Sequence, residues 1–177
     1  MFDQQLGPLI VHTGTSTYQP NERRQHERST AAHNTVSYAG ADSSEVWGGF
    51  RTARRAEVEW ITDEKDLLVA QHDGFKRLGA VHRRTFRRSE QGIEIIDQIL
   101  GGTKQAQAYL HFHPDVELRS VDGGIILNDR FEIQFKNFES SALESYLHAQ
   151  KFNTLKQAQM WTGIFRSEAS IIIRERI

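Results

Sequence analysis

Residues 106–138 read AQAYLHFHPDVELRSVDGGIILNDRFEIQFKNF, a series of short β-prone runs separated by turn residues. Asp122-Gly123-Gly124 and Asn128-Asp129 are typical of tight hairpin turns, because glycine, asparagine and aspartate tolerate the backbone angles that such turns need. The pattern predicts antiparallel strands joined by hairpins. The predicted strands are Ala106–His113, Val116–Val121, Ile125–Asn128 and Phe131–Phe138.

The same pattern extends along the whole chain on both sides of this segment. In residues 53–61, for example, Val58 and Trp60 alternate with Glu57 and Glu59, as expected for a half-buried strand. Many closely spaced strands without alternating helices indicate an all-β fold, an antiparallel β-sandwich or a barrel. Only residues 140–151 have helical spacing, with Leu143 and Leu147 at i and i+4, and they are polar enough to form a loop instead. The fold should therefore contain at most one short helix.

Composition restricts the class of protein. The 177 residues carry 22 basic and 23 acidic side chains, so no overall charge favours nucleic acid or a membrane surface. There is no cysteine, which excludes disulfides and thiol catalysis. No apolar run approaches the roughly 20 residues of a membrane span, and the first residues do not have the pattern of a signal peptide. The absence of a linker predicts one domain over residues 1–177.

The segment from Tyr18 to Val36, YQPNERRQHERSTAAHNTV, concentrates chemically active side chains. Its last part, Arg28 to Val36, resembles the signature of the heparinase II/III-like polysaccharide lyases. Supporting resemblances are found in three other places: Thr13 to Tyr18, His72 to Phe75, and Val81 to Arg84. The resemblance implies a β-sandwich of the super-sandwich type, the C-terminal part of a larger lyase whose N-terminal α/α toroid would lie upstream.

The implied reaction is β-elimination in an acidic, uronate-containing polysaccharide. The reaction removes the proton next to the carboxylate and expels the 4-linked sugar, so it needs a base, an acid and a cation for the carboxylate. A tyrosine performs proton transfer when nearby cations lower its pKa from about 10. Tyr18 stands where the family has its catalytic tyrosine. The resemblance and the local charge suggest substrate binding by four further residues: Arg23, Arg24, Arg28 and Asn34.

The resemblance also implies a zinc ion. His33 matches a zinc-binding histidine of the family, and His12 occupies the position of an aspartate ligand. A further histidine ligand of the family would precede Met1, so a four-ligand site would be incomplete in this chain. His12 could replace the aspartate as a nitrogen donor, or it could mark a chain that has lost the metal.

Two alternative functions remain open. The domain could be a non-catalytic carbohydrate-binding or structural module, because catalytic residues of the toroid are not among its 177 residues. We therefore expect little or no lyase activity from the chain alone. The second alternative is a cupin-like metal enzyme that uses His111, His113 and Glu117, since alternate strand residues share a face. Pro114 and the lack of a second cupin motif weaken that alternative.

The predicted partners are an acidic polysaccharide and a toroid domain, in the same protein or as a separate chain. An uncovered sandwich face also makes a homo-oligomer plausible. Nucleic acid is not expected, because Trp47, Trp60 and Trp161 do not form an obvious stacking platform. The resemblance implies a periplasmic or cell-envelope location, where polymers are accessible.

Overall fold

Two antiparallel sheets pack against each other and enclose most of the apolar side chains. The structure is a computed structural model that describes residues 1–176, with Phe2 described as backbone only. It contains 17 strands in this part of the chain. They are β1 Phe2–Asp3, β2 Gly7–Pro8, β3 Ile10–Val11, β4 Val36–Tyr38, β5 Glu45–Trp47, β6 Arg51–Ala53, β7 Val58–Glu64, β8 Leu67–His72, β9 Val81–Ser89, β10 Gly92–Leu100, β11 Ala106–Phe112, β12 Leu118–Val121, β13 Gly124–Leu127, β14 Phe131–Lys136, β15 Ser140–Lys151, β16 Thr154–Phe165 and β17 Glu168–Glu175.

The larger sheet has eight strands in the order β12-β13-β14-β17-β10-β9-β8-β7. The smaller sheet has the order β15-β16-β11-β3, and β4 also pairs with β11. Two small hairpins, β1-β2 and β5-β6, lie outside these sheets. The prediction of an all-β antiparallel sandwich is confirmed.

The core lies between the two sheets. Leu110 and Phe112 of β11 and Ile133 of β14 are at most 3% exposed. Trp161 of β16 stacks on Phe135 of β14 with ring centres 3.8 Å apart, which joins the two sheets at one point of the core. Close packing of large side chains from facing sheets is the usual source of stability in such a sandwich.

The hairpin turns form where the sequence predicts them. Asn128 and Asp129 have φ angles of 47° and 52° between β13 and β14. Two successive positive φ angles define the tight turn that matches strand twist. Gly123, with φ 68°, turns the chain between β12 and β13.

The prediction of a helix or loop at residues 140–151 is wrong. Ser140–Lys151 is strand β15, which pairs with β16 along nearly its full length. Tyr146 and His148 are buried on one side while the intervening Leu147 is 45% exposed, so the pattern alternates with period two despite the i, i+4 leucines.

The single α-helix in the described residues, α1, is Glu22–Arg28. Asn21 caps it by accepting a hydrogen bond from the Arg24 N–H at 2.8 Å. Glu22 in the first turn and Arg28 in the last complement the helix dipole. Two short 3-10 helices, Thr30–Ala32 and Lys76–Leu78, complete the secondary structure, and no helix of the described chain is long and apolar enough to cross a membrane.

Candidate functional site

The segment that carries Tyr18 lies alongside the end of strand β15 and is hydrogen-bonded to it. The Thr13 carbonyl accepts from the Ala149 N–H at 2.6 Å, and the Ser16 carbonyl accepts from the Asn153 N–H at 2.9 Å. Gly14 lies so close to Ala149 that a β-carbon there would be 2.3 Å from the Ala149 oxygen, and its φ is +77°. Only glycine fits this approach, so Gly14 sets the path of the chain toward Tyr18.

Glu27 of helix α1 fastens this segment to the helix. Its Oε1 accepts hydrogen bonds from the Ser16 N–H at 2.9 Å, from the Ser16 hydroxyl at 2.5 Å and from the Arg23 Nε at 2.8 Å. Burial raises the pKa of the Glu27 carboxyl, but the bonds from Ser16 and Arg23 more than offset this, so the pKa is lowered. Arg23 also donates to the Leu147 carbonyl at 2.7 Å, so helix, segment and β15 form one framework.

The Tyr18 side chain is 54% exposed and stands beside a buried arginine. The Arg24 guanidinium lies 5.3 Å from the centre of the Tyr18 ring, and Arg24 itself is only 8% exposed. Its Nε donates to the Gly49 carbonyl at 3.1 Å. The predicted acid/base residue is therefore accessible to a large substrate, and a cation is held next to it.

Arg28 and Asn34, two of the predicted substrate-binding residues, make extensive contacts within the protein. Arg28 donates to the carbonyls of Trp47 and Gly48 at 3.1 Å each and to that of Arg51 at 2.8 Å, which holds the β5-β6 hairpin against α1. Asn34 donates from Nδ2 to the Val11 carbonyl at 2.6 Å. Arg28 thus organises the surroundings of Tyr18, whereas Asn34 lies beside Val11 and His111, and substrate binding by either residue stays a prediction.

The structure brings the two predicted metal ligands together. The rings of His12 and His33 have centres 5.6 Å apart. Burial lowers the pKa of His33, and the neighbouring His12 lowers it further, so the imidazole is held in the neutral form that a metal requires. His12 and Tyr18 lie at opposite ends of the segment of residues 12–18, with the Glu27–Ser16 bonds between them.

His111 lies close to this pair and is completely buried. Its Nδ1 donates to the Asn34 Oδ1 at 3.1 Å, so its Nε2 carries a lone pair. Nε2 has no hydrogen-bond partner within the described residues. Burial lowers the pKa of His111 to about 4, and nearby histidines contribute to the shift.

We tested whether these residues fit a zinc ion. His12 and His33 can supply two nitrogen ligands, but no three His, Asp or Glu side chains in residues 1–176 converge on one position. A structural zinc site usually has four ligands. The residues of this chain therefore fit part of a zinc site and not a closed one. His111, His113 and Glu117, the residues of the cupin-like alternative, likewise do not form such a group within residues 1–176.

A largely buried network of hydrogen-bonded polar side chains crosses strands β8, β9 and β10, and its two histidines lie in segments that the sequence analysis noted only for their family resemblance. The Gly74 N–H donates to His72 Nδ1 at 3.2 Å, His72 Nε2 contacts His82 Nδ1 at 3.0 Å, and His82 Nε2 contacts Asp97 Oδ1 at 2.7 Å. An N–H can only donate and a carboxylate only accept, so the protons lie on the Nε2 atoms of both histidines. With these protons, every ring nitrogen of His72 and His82 takes part in a hydrogen bond.

Arg84 completes this network by a two-pronged contact with Asp97, at 2.7 Å from Nε and 2.9 Å from Nη2. Burial raises the pKa of Asp97, but Arg84 and His82 outweigh it and hold that pKa well below its usual range. The sequence signals for this network were the two family-like segments, His72 to Phe75 and Val81 to Arg84, and the acidic Asp97 within the apolar run of β10. A small apolar pocket of about 170 Å³ lies beside His72 and His82.

Comparison with known proteins places the chain in a family. The sequence matches the family described as Heparinase II/III-like, C-terminal, over residues 5–175. The chain belongs to the heparinase II/III-like C-terminal family. No curated protein matches its sequence.

Solved structures of heparinases share the fold. A heparinase III gene product matches with a TM-score of 0.74 and 14% identity over 96% of this chain. A crystal structure of heparinase III has a TM-score of 0.73 and 15% identity over 94% of this chain. Heparan sulfate lyase HepC from Pedobacter heparinus has a TM-score of 0.65 and 14% identity over 95%.

The heparinase II/III-like domain described here is only part of such enzymes. The chain spans 28% of the length of the two heparinase III structures and 29% of HepC. The remainder of each of those proteins lies outside the region that this chain matches.

Proposed function

We propose that this chain is the C-terminal sandwich of a lyase that cleaves acidic, uronate-containing polysaccharide by β-elimination, with Tyr18 as an acid/base residue. The observation that carries the proposal is the exposed Tyr18 ring beside the buried Arg24 guanidinium, 5.3 Å away. Membership of the heparinase II/III-like C-terminal family supports the reaction class.

In this reaction Tyr18 would take or give the proton at the sugar, and a cation would neutralise the carboxylate next to the acidic carbon. Arg24 is suited to this second task because a guanidinium binds a carboxylate with two parallel N–H groups. Arg23 and Arg28 hold the helix and the β5-β6 hairpin around Tyr18, so they would act on substrate mainly through position. Zinc, if bound by His12 and His33, would brace the sandwich after further ligands complete its coordination.

The toroid would supply the other catalytic groups, so we expect the isolated chain to be inactive. The test measures unsaturated uronate formed from heparan sulfate and from alginate, by ultraviolet absorbance. The samples are the chain alone and the chain joined to an α/α toroid domain. We expect product only from the joined protein. The cellular location we propose is the bacterial cell envelope, where such polymers are accessible.

The variant Tyr18→Phe removes the hydroxyl and keeps the ring, so it should lower the rate of the joined protein by a factor of about 100 or more. The control is Arg54→Gln, because the Arg54–Glu45 ion pair is exposed at the surface and such pairs contribute little. Full activity of Tyr18→Phe would contradict the proposed role, and product from the chain alone would contradict the need for a toroid.

A further inference from the structure

Tyr18 is the centre of an exposed aromatic cluster. Its ring centre lies 5.6 Å from that of Phe50 and 5.2 Å from that of Phe152. Phe50 and Phe152 are 71% and 52% exposed. We call Tyr18, Phe50 and Phe152 the aromatic platform. Three neighbouring exposed rings are unusual at a protein surface, because apolar area is normally removed from water, and such a patch marks a binding surface.

A cation lies next to two rings of the platform. The Arg24 guanidinium lies 5.6 Å from the centre of the Phe50 ring, as well as 5.3 Å from that of Tyr18. Among the guanidinium nitrogens, Nε is the only one with a hydrogen-bond acceptor in the described part of the chain, the Gly49 carbonyl. Within the described residues neither terminal nitrogen has a protein acceptor and no carboxylate pairs with Arg24. A largely buried cation with two unused donors is suited to an anionic ligand.

The three rings come from separate parts of the chain that are rigidly connected. Phe50 belongs to the hairpin that Arg28 holds through three carbonyls. Phe152 belongs to the turn between β15 and β16, and the next residue, Asn153, donates to the Ser16 carbonyl. Since the backbone around each ring is fixed before a ligand arrives, binding would cost little ordering entropy.

We propose that the aromatic platform is a subsite for an acidic sugar, with a sugar ring stacked on Phe50 and Phe152 and its carboxylate or sulfate on the terminal nitrogens of Arg24. The inference rests on the proposed function and extends it by two residues. The electron-rich faces of aromatic rings attract the slightly positive C–H groups of a sugar face. The guanidinium selects sugars that carry an anion.

An apolar protein partner fits this surface less well. Such a partner would cover the platform and leave the Arg24 charge without water and without an anion, which is strongly unfavourable. An acidic sugar satisfies both the rings and the cation. Arg51, which follows Phe50 in the chain, is exposed and adds to the local positive charge, which complements a polyanion.

The test measures binding of heparan sulfate oligosaccharides to the purified chain by calorimetry, with dextran as a neutral probe. We expect Phe50→Ala and Phe152→Ala each to weaken binding about threefold to tenfold. The control is Trp60→Ala, which removes another exposed ring. Trp60 is 64% exposed and lies on strand β7 of the larger sheet, so this variant should bind the oligosaccharides as tightly as the unchanged chain does. Dextran should not bind. Circular dichroism of every variant checks that the fold is retained, and Phe50→Leu and Phe152→Leu provide milder replacements.

Unchanged binding in both platform variants, or equal binding of dextran, would overturn the proposal. So would a change from dimer to monomer in Phe50→Ala or Phe152→Ala by sedimentation, because the platform would then be a contact between two copies. The binding assay does not depend on catalysis. If the platform variants weaken binding but the Tyr18→Phe enzyme is fully active, the subsite stands and the proposed catalytic role of Tyr18 is wrong. If the platform variants bind normally but Tyr18→Phe abolishes activity, the catalytic role stands and the subsite is wrong.

Discussion

Asn34 holds His111 through a single oxygen atom. The Asn34 Oδ1 accepts from the His111 backbone N–H at 2.7 Å and from its ring Nδ1 at 3.1 Å. The other end of the same amide donates to the Val11 carbonyl at 2.6 Å. One side chain thus connects strand β3, strand β11 and the loop that carries His33.

Replacement of Asn34 by alanine should destabilise the domain. It would leave the His111 backbone N–H and the Val11 carbonyl without partners, and each unsatisfied buried group costs about 1–3 kcal/mol. We expect the free energy of unfolding in urea to fall by about 2–4 kcal/mol in total. The matched control is Gln91→Ala in the exposed turn before β10, which should change it little. A stability equal to that of the unchanged chain would show that water replaces these bonds.

The contribution of the buried Asp97–Arg84 ion pair to stability can be compared with that of an exposed Asp–Arg pair. Asp97→Asn removes a carboxylate that is 1% exposed and leaves the Arg84 charge without its partner, which should cost about 3–5 kcal/mol. Asp66→Asn breaks the pair with Arg88, in which both side chains are at least half exposed, and should cost less than about 1 kcal/mol. Equal losses in thermal or urea unfolding would contradict the structural role of the network.

Two histidines, the buried His111 and the half-buried His72, predict a dependence of stability on pH. Burial lowers the pKa of His72 to about 4, with a further contribution from His82, and burial likewise lowers that of His111 to about 4. In the unfolded chain both should titrate near pH 6.5. The unfolded state therefore binds more protons between these values, so the free energy of unfolding should fall as pH is lowered from about 6.5 to about 4.

The variant His111→Phe removes one of these two groups and should make that fall shallower. Gln91→Ala should leave the profile as it is in the unchanged chain. The measurement is urea unfolding at several pH values between 4 and 7. A His111→Phe profile as steep as that of the unchanged chain would show that His111 is not among the groups that take up protons on unfolding.

Metal content should follow the number of available ligands. Because His12 and His33 supply only two of the usual four, we expect the isolated chain to retain less than one zinc per molecule after purification and dialysis. Elemental analysis of the chain, of His33→Ala and of His111→Ala provides the measurement. Stoichiometric zinc that is lost in His33→Ala would show that the chain completes the site by itself, and loss in His111→Ala would add the unpartnered Nε2 to its ligands.

Local features of the sequence were sufficient for the fold class and for the turns of the larger sheet. Asn128-Asp129 and Gly123 specify their backbone angles within a few residues, and the alternation of side chains follows from strand geometry. The short helix was missed although Asn21 and Glu22 form a recognisable start. Residues 140–151 were predicted wrongly because their two leucines have helical spacing. Their strand conformation comes from pairing with β16, a tertiary interaction that the local sequence does not show.

The sequence by itself determined the sandwich, the family resemblance and the residues Tyr18, His12 and His33 as candidates. Tertiary structure alone decided that Phe50 and Phe152 flank Tyr18, that Asp97 contacts His82 and Arg84, and that His111 Nε2 has no hydrogen-bond partner in the part of the chain that the structure describes. The reason is physical: strand patterns and turns depend on neighbours in sequence, whereas these contacts join residues far apart in the chain and exist only once the strands have adopted their order and register.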